Sequence, residues 1–407
     1  MIDRGAMDPG LDRAAAIVGD DAFVAAALRV EASWLRALAG AGLLESAAAD
    51  AAATVIVGHT PDVDALVAAA EDTGTIVVPL VDELRGVVGD PTVAALVHRG
   101  LTSQDVIDSA LMQISKQAIA VVLAELLRVG QRLATLAVEH RDDVMPGRTL
   151  TRHAVPITFG LKAARWLWAV IDVAEDLRRV FAELPAQCGG AAGTNALLVE
   201  LTPQAGPIRQ AFADDLGLTM PAVPWHTIRT PVTRLAGTLT SVTDACGVVG
   251  AEIAFLSRPE VNELALEQRG HHGRSSTMPQ KQNPIGSVLV GSAALQAPFL
   301  LAQLHQCAAL MADERAAGAW HAEWPALRRL LGLSIAASAQ TGDLLDALSV
   351  NTDVMRDRAL GAKDSLLAER FGSAEAVPDD ATPDDYLGLS QEFIDSALVR
   401  WESYRDA

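Results

Sequence analysis

Residues 103–140 read SQDVIDSALMQISKQAIAVVLAELLRVGQRLATLAVEH. Val106, Ile107, Ala110, Leu111, Ile114, Ala118, Val121, Val122, Leu126, Val129, Leu133 and Leu136 recur at three- and four-residue steps. That is the period of a helix with one buried face. At 1.5 Å per residue, roughly 37 residues form a rod of roughly 55 Å, far beyond an ordinary globular helix. Similar stretches follow at 157–184, 231–257, 285–312 and 325–348. Five long helices with apolar faces cannot each be covered inside one small protomer. The pattern therefore predicts an all-α long-helix bundle packed against other copies of the chain.

Working outward, alanine and leucine favour helix nearly everywhere. The exception is Thr75–Leu80 (TIVVPL), expected to be extended because Pro79 disfavours helix in the residue before it. Residues 1–101 are broken by Gly and Pro into short helices and form an expected N-terminal domain. Residues 102–348 form the central bundle. Residues 349–407 form a small helical C-terminal domain, with a hinge at 376–385 and a short helix to about Trp401.

The 407 residues carry 51 acids against 32 bases, a net charge of −19, with 50% hydrophobic and only 4% aromatic residues. So apolar a chain is not disordered. So acidic a chain is not a general nucleic-acid binder. Three scattered cysteines, Cys188, Cys246 and Cys307, make neither a disulfide framework nor a zinc cluster, and fit a reducing, cytoplasmic compartment. The start, MIDRGAMDPGLDR, has no basic stretch followed by an apolar core, so no secretory signal is expected. Residues 285–312 are the most apolar, but Gln296, Gln303, His305 and Gln306 interrupt them. They are expected to be a buried helix of a soluble protein.

Three segments break the helical pattern. His98-Arg-Gly-Leu-Thr-Ser-Gln-Asp105 precedes the long helix. Thr102 or Ser103 can be its N-cap, with Asp105 completing an approximate capping box. The same helix N-terminus can bind a carboxylate, and His98 can add a proton or a hydrogen bond. Gly147-Arg-Thr-Leu-Thr-Arg-His-Ala-Val-Pro156 reads as a cationic turn leading into a helix. There His153 is either a structural hydrogen-bonder or an acid/base group, and Arg148 and Arg152 suit an anion. Gly270-His-His-Gly-Arg-Ser-Ser-Thr-Met-Pro-Gln-Lys-Gln-Asn-Pro284 is long and patternless, either a linker or a functional lid. Lys281 is one of only four lysines, with Lys116, Lys162 and Lys363, in a chain that otherwise uses arginine. A compact ammonium suits a tight site. With backbone N–H groups, it could stabilise a serine alkoxide.

At these residues the chain resembles the fumarase/aspartase superfamily, whose loop has the form Gly-Ser-Ser-x-x-Pro-x-Lys-x-Asn. Ser275 to Pro284 fits it nearly throughout, and the other two segments resemble the superfamily's remaining active-site regions, in order. The resemblance covers essentially the whole chain. Within the superfamily it is most similar to the bacterial 3-carboxy-cis,cis-muconate cycloisomerases. The supporting pieces are Thr102 to Asp108, Gln187-Cys-Gly-Gly-Ala-Ala-Gly-Thr194, Pro224-Trp-His-Thr227, Glu314-Arg315, Trp320-His-Ala-Glu-Trp324 and Asp384-Asp-Tyr-Leu-Gly388.

The resemblance implies a homotetramer around twenty long helices, with each site drawn from three subunits and with neither metal nor organic cofactor. It implies a tricarboxylate substrate, lactonised to 4-carboxymuconolactone in protocatechuate breakdown by the β-ketoadipate route. Ser275 would be the acid/base, with His153 its competitor. Lys281 and Asn283 would polarise the carboxylate that gains charge. Thr102, Ser103 and Gln104 would bind another carboxylate. His98, Arg148, Thr151, Gln187, Ser276, Met278 and Arg315 complete the implied substrate site. Three positions depart from the pattern: Arg274 replaces the glycine before the serines, and Gln280 and Gln282 replace His and Arg. They bear on which substrate is bound. The rival expectations are a C–N lyase that releases fumarate, as adenylosuccinate lyase does, and a non-catalytic scaffold. Leu150 stands where adenylosuccinate lyases usually have a further histidine, which argues against the first. The intact Ser275, Lys281, Asn283 and His153 argue against the second.

Overall fold

A computed structural model describes residues 6–267, 273–278 and 280–406. Apart from two short two-stranded sheets, its regular structure is helical. Six N-terminal helices come first: α1 (Ala15–Val18), α2 (Asp20–Gly40), α3 (Ser46–Gly58), α4 (Val63–Thr73), α5 (Val77–Val88) and α6 (Pro91–Ala94). The long helix α7 (Ser103–Glu139) leads to the strands β1 (Val144–Thr149) and β2 (Arg152–Thr158), then α8 (Phe159–Glu183). Next come α9 (Ala196–Leu201), α10 (Ala205–Leu216), α11 (Thr230–Leu256), the strand β3 (Leu264–Leu266), α12 (Ile285–Ala309) and α13 (Ala319–Asp346). The strand β4 (Leu348–Val350), α14 (Thr352–Gly361), α15 (Lys363–Phe371) and α16 (Ser390–Asp406) close the chain. All five long helices expected from periodicity are present.

The chain divides into two compact units. Unit 1 is Met1–Val121, Leu177–Leu239 and Ala297–Ile335, and unit 2 is Val122–Asp176, Thr240–Gln296 and Ala336–Ala407. In unit 1, α2 packs on α3 and α10. Trp34 and Phe212 meet edge to face, 5.5 Å apart, both fully buried. Asp62 caps α4 by accepting from Ala65 N–H at 3.1 Å. Asp90 caps α6 in the same way, with Pro91 in the first turn where no N–H is needed.

In unit 2, β1 and β2 form an antiparallel hairpin that packs on α14 and α15. Val144, Ala359 and Leu366 are the buried centre of that layer. The helix α16 reaches α7 at Gly130, where a Cβ would lie 2.3 Å from the ring of Trp401. Only glycine permits that approach.

Three expectations change. Residues 75–80 are not extended: α5 begins at Val77, whose N–H donates to Thr75 Oγ1 at 3.2 Å. Pro79 falls in the first turn of α5, where its missing N–H has no helical acceptor to lose. The segment 147–156 is not a turn running into a helix but most of the β1–β2 hairpin. Leu150 (φ 48°) and Thr151 (φ 69°) both adopt left-handed backbone and make the tight reversal, so α8 starts only at Phe159. Finally, α12 is not buried within the single chain. Only 22% of its most apolar 18-residue stretch is buried, and Leu295 and Phe299 are 75% and 78% exposed. By length and composition α7, α11 and α12 could each cross a membrane, although about half of the corresponding stretch in α7 and α11 is buried.

Candidate active site

The residues singled out in the sequence fall into two groups, one on each unit. On unit 1 they gather at the N-terminus of α7. Asp105, in the first turn, is fully buried and reaches back to accept from Thr102 N–H at 3.0 Å. That is half of a capping box. The Thr102 hydroxyl is engaged elsewhere: it accepts from Arg315 Nη2 at 2.6 Å. Arg315 also donates from Nε to Gln104 Oε1 at 3.1 Å, while Gln104 Nε2 donates to the His226 carbonyl. Ser103 is the first residue of α7 and half-buried. The structure thus assembles Thr102, Ser103, Gln104 and Arg315 into one cationic, donor-rich helix start.

Asp105 anchors this group. It accepts from the N–H groups of Gly189 (2.8 Å) and Gly190 (2.9 Å) and pairs with His226 Nε2 (2.9 Å). Beneath it, Asp108 takes both terminal nitrogens of buried Arg229 (2.8 and 3.0 Å) and the indole N–H of Trp320 (3.1 Å). Arg229 also clasps buried Glu323, closest at 2.7 Å. Burial alone would lower the Arg229 pKa, but the charges and hydrogen bonds of Asp108 and Glu323 outweigh it and raise it. Burial pushes Glu323 upward against the pull of Arg229. Gln187 lies inside this network. It donates to Asp108 at 3.2 Å and accepts from Trp225 N–H at 2.9 Å, fully buried. Its side chain braces the site from within.

His98 stands just before the helix, in left-handed backbone (φ 63°), with Nδ1 2.6 Å from Glu31 Oε1. Desolvation would lower its pKa, but the charge and hydrogen bond of Glu31 and the charge of Asp105 outweigh it, with Arg85 opposing, and the net shift is upward.

The second group lies on unit 2. His153, exposed, faces Arg148 across the hairpin register, and Thr151 is in the turn. Arg148 is joined to Glu263, a fully buried carboxylate, through both terminal nitrogens (2.9 and 2.5 Å). Its charge is therefore already neutralised.

In the loop, Ser275 Oγ accepts from the backbone N–H groups of Thr277 (3.4 Å) and Met278 (3.1 Å). Lys281 N–H donates to the Met278 carbonyl, and Arg274 pairs with Gln282 in an isolated bridge. Asn283 closes the loop through its N–H and side-chain amide, both donating to the Gly273 carbonyl (2.9 and 3.2 Å). Gly273, at φ 75°, admits that closure, since a Cβ there would lie 2.5 Å from the Asn283 oxygen. Ser276, Met278 and Lys281 are exposed beside it. Of the segment quoted from the sequence, residues 270–272 and Pro279 lie outside the described residues. A cavity of about 240 Å³ elsewhere on unit 2, lined by Lys162, Arg165, Trp166 and Glu252 among others, contains none of these groups. Among the described residues no group of three or more His, Cys, Asp or Glu is placed to hold a metal ion.

Glu31, Arg229 and Glu263 escaped the sequence reading, each a lone charged residue in an ordinary helical or loop stretch with no local pattern to flag it. His226 and Glu323 lie within the quoted segments 224–227 and 320–324, but no role was expected of either.

Comparison with known proteins gives a consistent picture. A family described as lyase matches residues 12–298. A nitrosuccinate lyase of Streptomyces davaonensis is 39% identical over 88% of this chain and 77% of its own length. A 3-carboxy-cis,cis-muconate cycloisomerase of Bradyrhizobium diazoefficiens is 36% identical over 86% of this chain and 79% of its own. The solved 3-carboxy-cis,cis-muconate lactonizing enzyme of Pseudomonas putida superposes with a TM-score of 0.87 at 28% identity, covering 98% of this chain and 99% of that one.

Proposed function

Because the chain belongs to this lyase family, within the fumarase/aspartase superfamily, we propose that it moves a proton at the carbon beside a carboxylate while an oxygen nucleophile adds to the neighbouring carbon. The reaction we assign is cycloisomerisation of 3-carboxy-cis,cis-muconate to 4-carboxymuconolactone. One carboxylate of the substrate supplies the nucleophile. Its oxygen bonds to an alkene carbon, the alkene electrons move onto the adjacent carboxylate as an aci-carboxylate, and a proton delivered to the α-carbon restores the acid. The enzyme's tasks are orientation and charge stabilisation.

One observation carries this reading: two backbone N–H groups point at Ser275 Oγ. Donors aimed at a hydroxyl oxygen stabilise its alkoxide relative to the alcohol, which favours a serine that gives up and retrieves a proton. Ser275 is assigned that proton and His153 the competing role. Lys281 and Asn283 face the aci-carboxylate. The α7 start, with Thr102, Ser103, Gln104, His98 and Arg315, holds a second carboxylate. Arg148 and Gln187 support these groups through Glu263 and Asp108.

The exposed apolar face of α12 supports a homotetramer in which each site takes its three segments from different subunits. Whole-chain likeness to a solved enzyme supports packing of these helices on one another instead of on lipid. The buried, unpaired cysteines Cys188, Cys246 and Cys307 suit the cytoplasm.

A second reading is favoured by Gln280 and Gln282. With two basic residues lost there and one gained at Arg274, the loop carries one basic residue fewer, and a dianion is accommodated more readily than a trianion. The 39% identical relative is named for nitrosuccinate. Elimination of nitrite from that dianion uses the same proton abstraction and aci-carboxylate, run in reverse. Purified protein given each compound separately decides between the two. Loss of 3-carboxymuconate absorbance with lactone formation supports cycloisomerisation, whereas nitrite release from nitrosuccinate with no lactone overturns it.

A further inference from the structure

Two side chains of α2 grip the turn that carries His98. Trp34 Nε1 donates to the Arg99 carbonyl at 2.9 Å. One helical turn earlier, Glu31 meets His98 Nδ1 at 2.6 Å. Residues three apart on a helix share a face, so the two contacts form a single clamp. Gly100, at φ 96°, lies against the same indole, with its Cβ position 3.4 Å from Trp34 Cζ2.

Glu31 is fully buried, and its second oxygen, Oε2, meets no donor among the described residues. A carboxylate in that position is costly unless its single partner answers its charge. It is therefore poorly explained as a support for the helix, and better explained by what it does to the ring.

We propose that Glu31 is the positioning residue for His98. It fixes the ring with Nδ1–H towards α2, frees Nε2 for the substrate, and holds the imidazole in its cationic form to receive a substrate carboxylate. This deepens the preceding reading of the α7 start and rests on it for the identity of the substrate. A hydrogen bond at one ring nitrogen decides what the other can do, and a carboxylate partner favours the protonated ring. The upward shift of His98 agrees with this geometry. The other charged groups facing the ring are Asp105, which adds to the effect, and Arg85, which opposes it.

The test has two arms on the full-length protein. In the first, the His98 ring is titrated by NMR in histidine-labelled protein, with His98→Gln providing the assignment. Glu31→Gln keeps size and an acceptor oxygen but removes the charge. It should lower the His98 pKa by about one unit or more. In the second arm, kcat and KM are measured across pH on whichever substrate the wild type turns over. Glu31→Gln should lower kcat/KM roughly 10- to 100-fold at neutral pH. It should also move the alkaline limb of the profile to lower pH. Glu31→Asp, which retains the charge, should recover part of both. The double variant with His98→Gln should be no worse than His98→Gln alone. An unmoved His98 pKa in Glu31→Gln overturns the proposal, and so do losses that multiply in the double variant. If the wild type turns over neither substrate while the pKa still moves, the functional reading fails and the Glu31–His98 coupling stands.

Discussion

Arg148 and Glu263 form a two-point ion pair, Nη1 to Oε2 at 2.9 Å and Nη2 to Oε1 at 2.5 Å, with Glu263 sealed from solvent. The pair ties the hairpin bearing His153 to the residue just before the strand β3. Arg358 approaches the same carboxylate at 3.8 Å. Removing one partner of a buried pair strands the other charge, at a cost of about 3–5 kcal/mol. Glu263→Ala should therefore lower the urea midpoint strongly, and Arg148→Met less, because Arg358 remains near Glu263. Equal midpoints for Glu263→Ala and wild type would show that the pair contributes nothing.

Replacing Ser275 by Ala removes the hydroxyl while leaving the N–H groups of Thr277 and Met278 in place. Turnover should fall by roughly 10²- to 10⁴-fold, with the melting temperature and oligomeric state unchanged. His153→Asn should cost less. The reverse order in single-turnover rates would transfer the proton to His153. For Lys281→Met the loss should fall mainly on kcat, as expected of a cation that meets charge only in the transition state.

The contrast between legible and hidden parts follows from these residues. The long helices were readable because apolar residues repeat every three or four positions over dozens of residues, a signal no local accident removes. The loop holding Ser275 and Lys281 stood out because its residues depart from that repeat. The β1–β2 hairpin was hidden. Its reversal at Leu150 and Thr151 has none of the Asn, Asp or Gly residues that usually announce left-handed turns. Glu31 and Glu263 were hidden for a different reason. Their meaning comes from partners 67 and 115 positions away in sequence, and a lone glutamate in a helix or loop reads as surface. Exposure of α12 was misjudged because an apolar helix in a bundle reads as buried whether its cover is the same chain or another copy.

The hairpin turn offers a stability test. Leu150 is 95% exposed yet holds φ 48°, a region that leucine enters at a cost and asparagine tolerates. Leu150→Asn should raise stability by up to about 1 kcal/mol. Thr151→Gly should relieve similar strain and, if Thr151 contacts substrate as the resemblance implies, also lower activity. A thermal melt of each variant, set beside its kcat/KM, separates relief of strain from loss of contact.

The apolar face of α12 sets a test of assembly. Leu295 and Phe299 lie one helical turn apart and are largely exposed. Each would contribute about 1.5–3 kcal/mol on full burial in an interface. Phe299→Glu should shift the protein to smaller species by light scattering and abolish turnover with it, because sites built from several subunits come apart together. A fully active wild-type monomer would overturn the tetramer.

His98 gives stability a pH dependence whose sign is fixed. Its folded pKa lies above the ordinary value near 6.5, so between the two values the native state binds more protons than the unfolded chain. Stability then falls as pH rises through that window. The contribution is complete below the unfolded pKa and is lost above the raised folded one, where a neutral ring faces the buried Glu31 carboxylate. Urea midpoints followed from about pH 5.5 to 8.5 should show wild type losing stability in this window. Glu31→Gln, whose amide places no charge against the ring, should lack this loss. The difference between the two proteins should therefore be largest at the acid end. A wild-type advantage that grows with pH would mean that Glu31 prefers a neutral His98, the opposite of the assigned charge state.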